Sequence, residues 1–184
     1  DAVIEFPPLG FGDATVTSRP KSTEPSFIGS FYDYYKLAIH SASSKETKFK
    51  KYFGIMPSWD NTPRRQFDSN IFLNASPYIF KVWLAVLRFR ARQRSPHGSG
   101  EYIFVNAWNE WAEGAHLEPD RHFGYAWLEQ VARQAEKPCL AQIPELAYAV
   151  PVTSAATQAT VAVVAHIYYE ETWPDIAQAL QALS

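Results

Sequence analysis

Three short apolar runs, each breaking off into a polar or proline-rich segment, constrain this chain more than any other feature. The first covers residues 2–6 and gives way to Pro7 and Pro8. The second covers 52–56 and runs into Pro57-Ser58-Trp59-Asp60-Asn61, and the third covers 102–108 and runs into Asn109-Glu110. Unbroken apolar runs of this length suit parallel strands buried on both faces, where in/out alternation disappears. In the third, Tyr102-Ile103-Phe104-Val105 is β-branched and aromatic, which favours strand over buried helix. Ser76 and Pro77 read as an N-cap and a first helical residue. Tyr78, Ile79, Val82, Trp83, Val86 and Leu87 then recur every three or four positions, the stripe of a core-facing helix. Arg88, Arg90, Arg92 and Arg94 crowd its C-terminal end, where cations complement the helix dipole, and are expected to be solvated. A second helix is expected over residues 125–136, with Trp127, Leu128 and Val131 inward. Strands alternating with helices predict an α/β fold.

Beyond Lys137 the character changes. Pro138, Pro144 and Pro151 punctuate a stretch that becomes rich in Ser, Thr, Ala and Gln, so 138–158 is expected to be a linker. Residues 161–168 read as another buried strand, and Thr172-Trp173-Pro174-Asp175 as a helix start with a capping-box variant. One strand and one helix cannot make a core, so 159–184 is expected to open a second domain after a first one over 1–137. The chain starts at Asp1 and its one methionine is Met56, so it reads as a piece of something longer.

Composition excludes several classes. With 47% hydrophobic residues the chain is not disordered, and a net charge of −2 is too neutral for electrostatic capture of nucleic acid or anionic membrane. No run approaches the ~18 apolar residues of a membrane span, and no leader is visible. Cys139 is the one cysteine, which excludes an intrachain disulfide and suggests a reducing, cytoplasmic setting. Aromatics at 15% are high, so large rings either fill the core or stack on a ligand.

The segment 106–114, Asn-Ala-Trp-Asn-Glu-Trp-Ala-Glu-Gly, carries the densest chemistry and follows the strongest strand. Ligands of parallel sheets bind beyond the strands' carboxyl ends, where loops converge. Glu110 and Glu113 lie there, interleaved with Trp108, Asn109 and Trp111. A carboxylate beside an indole loses hydration and gains affinity for its proton, while one in a polar setting stays ionised. Two carboxylates with aromatic faces for sugar rings are the equipment of glycosidic-bond chemistry. The alternative is a solvated turn whose glutamates cap a helix. A second cluster, Trp59, Asp60, Asn61, Arg64 and Arg65, follows the second strand and is expected on the same rim, either as sugar-binding groups or as a structural turn. His116, Glu118, Asp120 and His122 alternate, but Pro119 breaks a regular strand and no zinc-binding spacing accompanies them, so hydrogen bonding is expected rather than metal binding. Cys139 has no base near it in sequence, His166 lies in an apolar run, and neither a G-x-S-x-G elbow nor a phosphate-binding loop is present. No cofactor is expected.

The fifteen residues from Asn106 to Asp120, followed by Phe123-Gly124-Tyr125, resemble the signature of the WbsX-type glycosyltransferase family, which is related to glycoside hydrolase family 99. The opening segment and residues 57–65 resemble other blocks of the same family, so the likeness covers about 1–137. Residues 161–183 are similar to the start of a rhamnan-synthesis F-type domain, through Tyr168-Tyr169 and Trp173-Pro174. The resemblance implies a (β/α)8 barrel, of which ~250 residues make a whole one, so this chain would hold the C-terminal half. It also implies action on bacterial surface polysaccharide such as O-antigen. By the same resemblance Glu110 would be a base toward a sugar 2-hydroxyl and Glu113 the acid/base at the glycosidic oxygen. Ala112 stands where the hydrolases usually carry His. The implied partners are an oligo- or polysaccharide and further domains of the polypeptide. A non-catalytic glycan-binding or scaffolding module is the alternative, and a fragment inactive without the rest of its barrel is a third possibility.

Overall fold

A computed structural model describes residues 2–10, 16–45, 47–94, 102–136 and 160–163, with backbone alone at 136 and 160–163. In chain order the first elements are β1 (Ala2–Ile4), β2 (Ser30–Asp33), α1 (Tyr34–Ala42), β3 (Lys50–Ile55) and α2 (Thr62–Arg65). Then come β4 (Asn70–Leu73), α3 (Pro77–Arg94), β5 (Tyr102–Val105), β6 (Asn109–Glu110), a 3-10 turn (Trp111–Glu113), β7 (Ala115–His116), α4 (Ala126–Glu136) and β8 (Thr160–Val163). The fold is α/β. Its main sheet has the order β1-β3-β5-β8 with every neighbouring pair parallel, Val3 beside Lys51, Phe53 beside Ile103 and Val105 beside Val163. β2 and β4 form a separate parallel pair, and β6 and β7 a short antiparallel hairpin.

The expected helices form where their end signals lie. Ser76 Oγ accepts from the Ile79 amide at 3.3 Å, so α3 starts at Pro77 with its cap in place. Asp33 caps α1 in the same way, through the Lys36 amide at 3.0 Å. Phe53, Ile55, Ile103 and Val105 project from one face of the sheet into a core with Tyr34 and Leu37 of α1, Trp83, Leu84 and Leu87 of α3, and Trp127 and Val131 of α4. Each such side chain contributes roughly 1.5–3 kcal/mol by leaving water. The Phe80 and Trp127 rings meet edge to face at 5.7 Å, tying α3 to α4.

Burial on both faces, as the unbroken apolar runs suggested, is realised on one face alone among the described residues. Register puts Ile4, Tyr52, Tyr102 and Phe104 on the opposite face, where Ile4 is 49% and Tyr102 41% exposed. Tyr52 touches Tyr102 and Phe104 there, with ring centroids 5.9 and 5.8 Å away. Helices α1, α3 and α4 all pack on the other side.

The arginine-rich end of α3 also departs from expectation. Arg88 is buried and donates to Gln134 Oε1 of α4 at 3.1 Å. Arg90 donates to the Ala42 and Ser41 carbonyls at 2.8 and 3.2 Å, closing the C-terminus of α1. Arg94 reaches the Lys51 carbonyl at 3.0 Å and lies 4.0 Å above the Phe53 ring. These cations brace α3 against its neighbouring helices and, through Arg90 and Arg94, against β3, because a guanidinium can stack its plane while its edges satisfy carbonyls. The expected linker, Cys139, His166 and the helix beginning near Thr172 lie outside the described residues.

Candidate functional site at the strand ends

The carboxyl ends of β1, β3 and β5 are joined by polar side chains and main chain. Past β5, Asn106 donates its backbone amide to the Ile55 carbonyl at 2.8 Å and its side-chain amide to the Pro7 carbonyl at 2.9 Å. Next, β6 runs into the 3-10 turn and returns as β7, pairing Glu110 with Ala115. Gly114 closes that turn at φ +62, donating to the Trp111 carbonyl at 3.1 Å. A side chain there would be strained twice over, since a Cβ would also lie 2.9 Å from the Asp60 nitrogen. Glu110 and Glu113 therefore stand on either flank of one tight turn.

The loop after β3 meets this hairpin. The Asp60 amide donates to the Glu113 carbonyl at 2.8 Å, and the Ser58 hydroxyl donates to the Gly114 carbonyl. Asp60 Oδ1 accepts from the Thr62 amide at 2.9 Å and starts α2, while Asn61 Oδ1 accepts from the Asn70 amide at 2.7 Å. These bonds carry Arg64 to the acid pair. Its Nη1 lies 2.6 Å from Glu113 Oε1 and its Nη2 lies 3.1 Å from Glu110 Oε1. The two carboxylate side chains are mostly buried, 21% exposed at Glu110 and 18% at Glu113, whereas Arg64 is 51% exposed. Burial pushes the Glu113 carboxyl above its ordinary pKa, Arg64 pulls it down, and the charge of Glu110 raises it again. The arrangement can hold a proton on one acid while keeping a second acid within reach of the same guanidinium.

The other expected site residues are distributed unevenly. Trp59 and Trp108 lie in the core, 8% and 3% exposed. Their Nε1 atoms, and Asn109 Oδ1, are buried without a hydrogen-bond partner among the described residues. Unpaired groups of this kind are uncommon and call for an explanation, a functional role among them. Trp111 is 46% exposed beside the acids. Arg65 turns away and pairs with Asp68 at 3.5 Å on the surface. Among the alternating histidines and acids, His116 stacks on Trp111, Glu118 Oε2 accepts from Trp111 Nε1 at 2.5 Å, and Asp120 accepts from the amides of His122 and Phe123. No group of three or more His, Cys, Asp or Glu that could hold a metal ion occurs among the described residues. Sequence reasoning missed Gly114 and Asn106 as builders of this rim, whereas hydrogen bonding by Glu118 was expected; a glycine directly after Glu113 was the one local signal for the turn.

Comparison with known proteins gives this rim a family. The profile of the family described as "Glycosyltransferase WbsX" matches residues 1–131, which includes every residue of the hairpin and of the loop after β3. The chain belongs to the WbsX glycosyltransferase family. Two proteins named "Uncharacterized protein WxcX", from two strains of Xanthomonas campestris pv. campestris, are each 38% identical over 182 residues. That match covers 98% of this chain and 24% of each relative, so the chain spans about a quarter of their length. No solved structure matches it. No helix among the described residues is long and apolar enough to cross a membrane.

Proposed function

We propose that this WbsX-family chain is the catalytic part of a carbohydrate-active enzyme, the C-terminal half of its barrel, that makes or cleaves a glycosidic bond in bacterial surface polysaccharide, O-antigen or lipopolysaccharide among them, in the cytoplasm. Glu113 is the acid/base at the glycosidic oxygen and Glu110 the base. Asp60, Asn61, Asn109 and Arg64 surround the sugar, with the indoles of Trp59, Trp108 and Trp111 below and beside it. The observation that carries this reading is the shared guanidinium: Arg64 bonds both carboxylates, at 2.6 and 3.1 Å, where parallel strands end. Burial that holds the Glu113 proton above the ordinary carboxyl range suits a general acid. The parallel order β1-β3-β5-β8 with helices on one face is compatible with half of a (β/α)8 barrel, whose bare inner face would bear Tyr52, Tyr102 and Phe104. Further domains of the same polypeptide are partners in this reading.

The test is turnover of O-chain oligosaccharides from Xanthomonas campestris, followed by mass spectrometry in the presence and absence of acceptor sugar. Glu113→Gln is expected to lower turnover by about 10²–10⁴-fold, the usual contribution of a positioned acid/base. Turnover equal to the parent's removes the reading. One observation favours a second reading, a glycan-binding module without catalysis: in this geometry Arg64 covers both carboxylates. Calorimetric binding unaffected by Glu110→Gln, with no turnover in the parent, selects the module.

A further inference from the structure

The geometry points to Trp111 as a stacking platform for the C–H face of a pyranose ring, held beside the acid pair by His116 and Glu118. This rests on the carbohydrate reading for its ligand class, but not on catalysis by Glu110 or Glu113. The indoles are otherwise packed away: among the described residues, the remaining tryptophans Trp59, Trp83, Trp108 and Trp127 are at most 8% exposed, whereas Trp111 is 46% exposed. An exposed indole normally gives up rotamer freedom when it binds a ligand. Trp111 is already held on two sides. The His116 ring stacks on one face, with centroids 3.8 Å apart and planes 15° apart, and Glu118 Oε2 accepts from its Nε1 at 2.5 Å. His116 is itself held, with Nδ1 3.1 Å from the Glu118 carbonyl oxygen. The backbone repeats the arrangement, since β6 and β7 pair Asn109 with His116 and Glu110 with Ala115, one residue before Trp111.

With one face covered and its N–H engaged, the indole has its second face left to meet a ligand. That surface is planar, apolar and rigid, and it lies in the turn between the two acids. A sugar ring lying on it would rest on the residue next in sequence to Glu110 and two residues from Glu113, the pair that Arg64 joins. The aromatic face selects pyranoses with an unbroken patch of axial C–H bonds over those with axial hydroxyls on both faces. Glu118 and His116 are positioning residues: they touch Trp111, and their effect passes through it.

The experiment uses this chain and the delipidated O-chain of Xanthomonas campestris as probe, reading the Trp111 emission as the difference between parent and Trp111→Phe. Saturable change in that emission is expected on titration, and Trp111→Ala is expected to weaken binding by about tenfold or more, equivalent to roughly 1.4 kcal/mol. Glu118→Ala is expected to raise acrylamide quenching of Trp111 and weaken binding severalfold. Glu118→Gln, which keeps an acceptor oxygen, restores both. Trp111→Ala binding within twofold of the parent, or a parent emission that O-chain leaves unchanged at millimolar sugar, overturns the platform. Glu113→Gln run alongside separates the two ideas: turnover lost with the emission response intact leaves both standing, and turnover retained removes the acid assignment while leaving the platform in place.

Discussion

Arginine does opposite work in two regions of this molecule. At the end of α3, Arg88, Arg90 and Arg94 are drawn into the body of the protein and bond to neutral oxygens, those of Gln134, Ala42 and Lys51. At the strand ends, Arg64 stays half in water and bonds to two carboxylates. The first group is bracing: these oxygens belong to fixed dipoles, and Arg90 and Arg94 lie over the Phe53 ring. The second is a charge shared by two acids, and it draws the Glu113 pKa down. Sequence spacing gave no hint of that difference, because a guanidinium's task is set by what tertiary packing brings to it.

The comparison can be broken by substitution. Arg90→Ala is expected to destabilise the fold by about 2–4 kcal/mol, since it strands several carbonyls at the end of α1; urea denaturation monitored by circular dichroism measures this. Gly114→Ala comes next, at about 1–3 kcal/mol, because a left-handed turn and the Asp60 backbone both oppose a Cβ. Arg64→Met should cost the fold less than about 1 kcal/mol, as befits a half-exposed ion pair. Its effect is chemical. Removing Arg64 removes the influence that lowers the Glu113 pKa, so that pKa rises further. An acid works while protonated, so the alkaline limb of the pH–rate profile is expected to move to higher pH; an unmoved limb would show that Arg64 does not tune Glu113.

A fourth expectation sharpens the same point through stability. Because Glu113 holds its proton more tightly when folded, its stabilising share is present below the unfolded-chain pKa and is lost as pH rises through the raised one. Relative to Glu113→Gln, the parent should therefore weaken across that window, which paired melts between acid and neutral pH would reveal. The smallest effect belongs to Arg65→Ala, within about 0.5 kcal/mol and without change in the pH profile, since its partner Asp68 is itself exposed.

Much of this was readable beforehand, and the misses share a cause. The apolar runs ending in Pro57 and Asn109 marked β3 and β5, and Ser76-Pro77 marked the start of α3, because these are local signals. The four-residue strands β2 and β4 went unread: each is too short to show periodicity and each is stabilised by the other across 40 residues of sequence, Ser30 beside Asn70. At the site, Glu110, Glu113 and Arg64 could be nominated from residue type, and the structure brings them together. That Trp59 and Trp108 are buried while Trp111 stays exposed could not be read, since residue type alone does not divide indoles between core and surface.

The spacing of the acids is set by main chain. Glu110 belongs to a two-residue strand, Glu113 to the turn that follows, and Gly114 brings the chain back, with Leu117 donating to the Trp108 carbonyl at 2.9 Å. Divergence among relatives can thus alter the helices at length and leave this gauge untouched, whereas a single inserted or deleted residue between Asn109 and Ala115 would rotate one acid out of register with the other. Length polymorphism, more than substitution, is the kind of change this stretch cannot absorb.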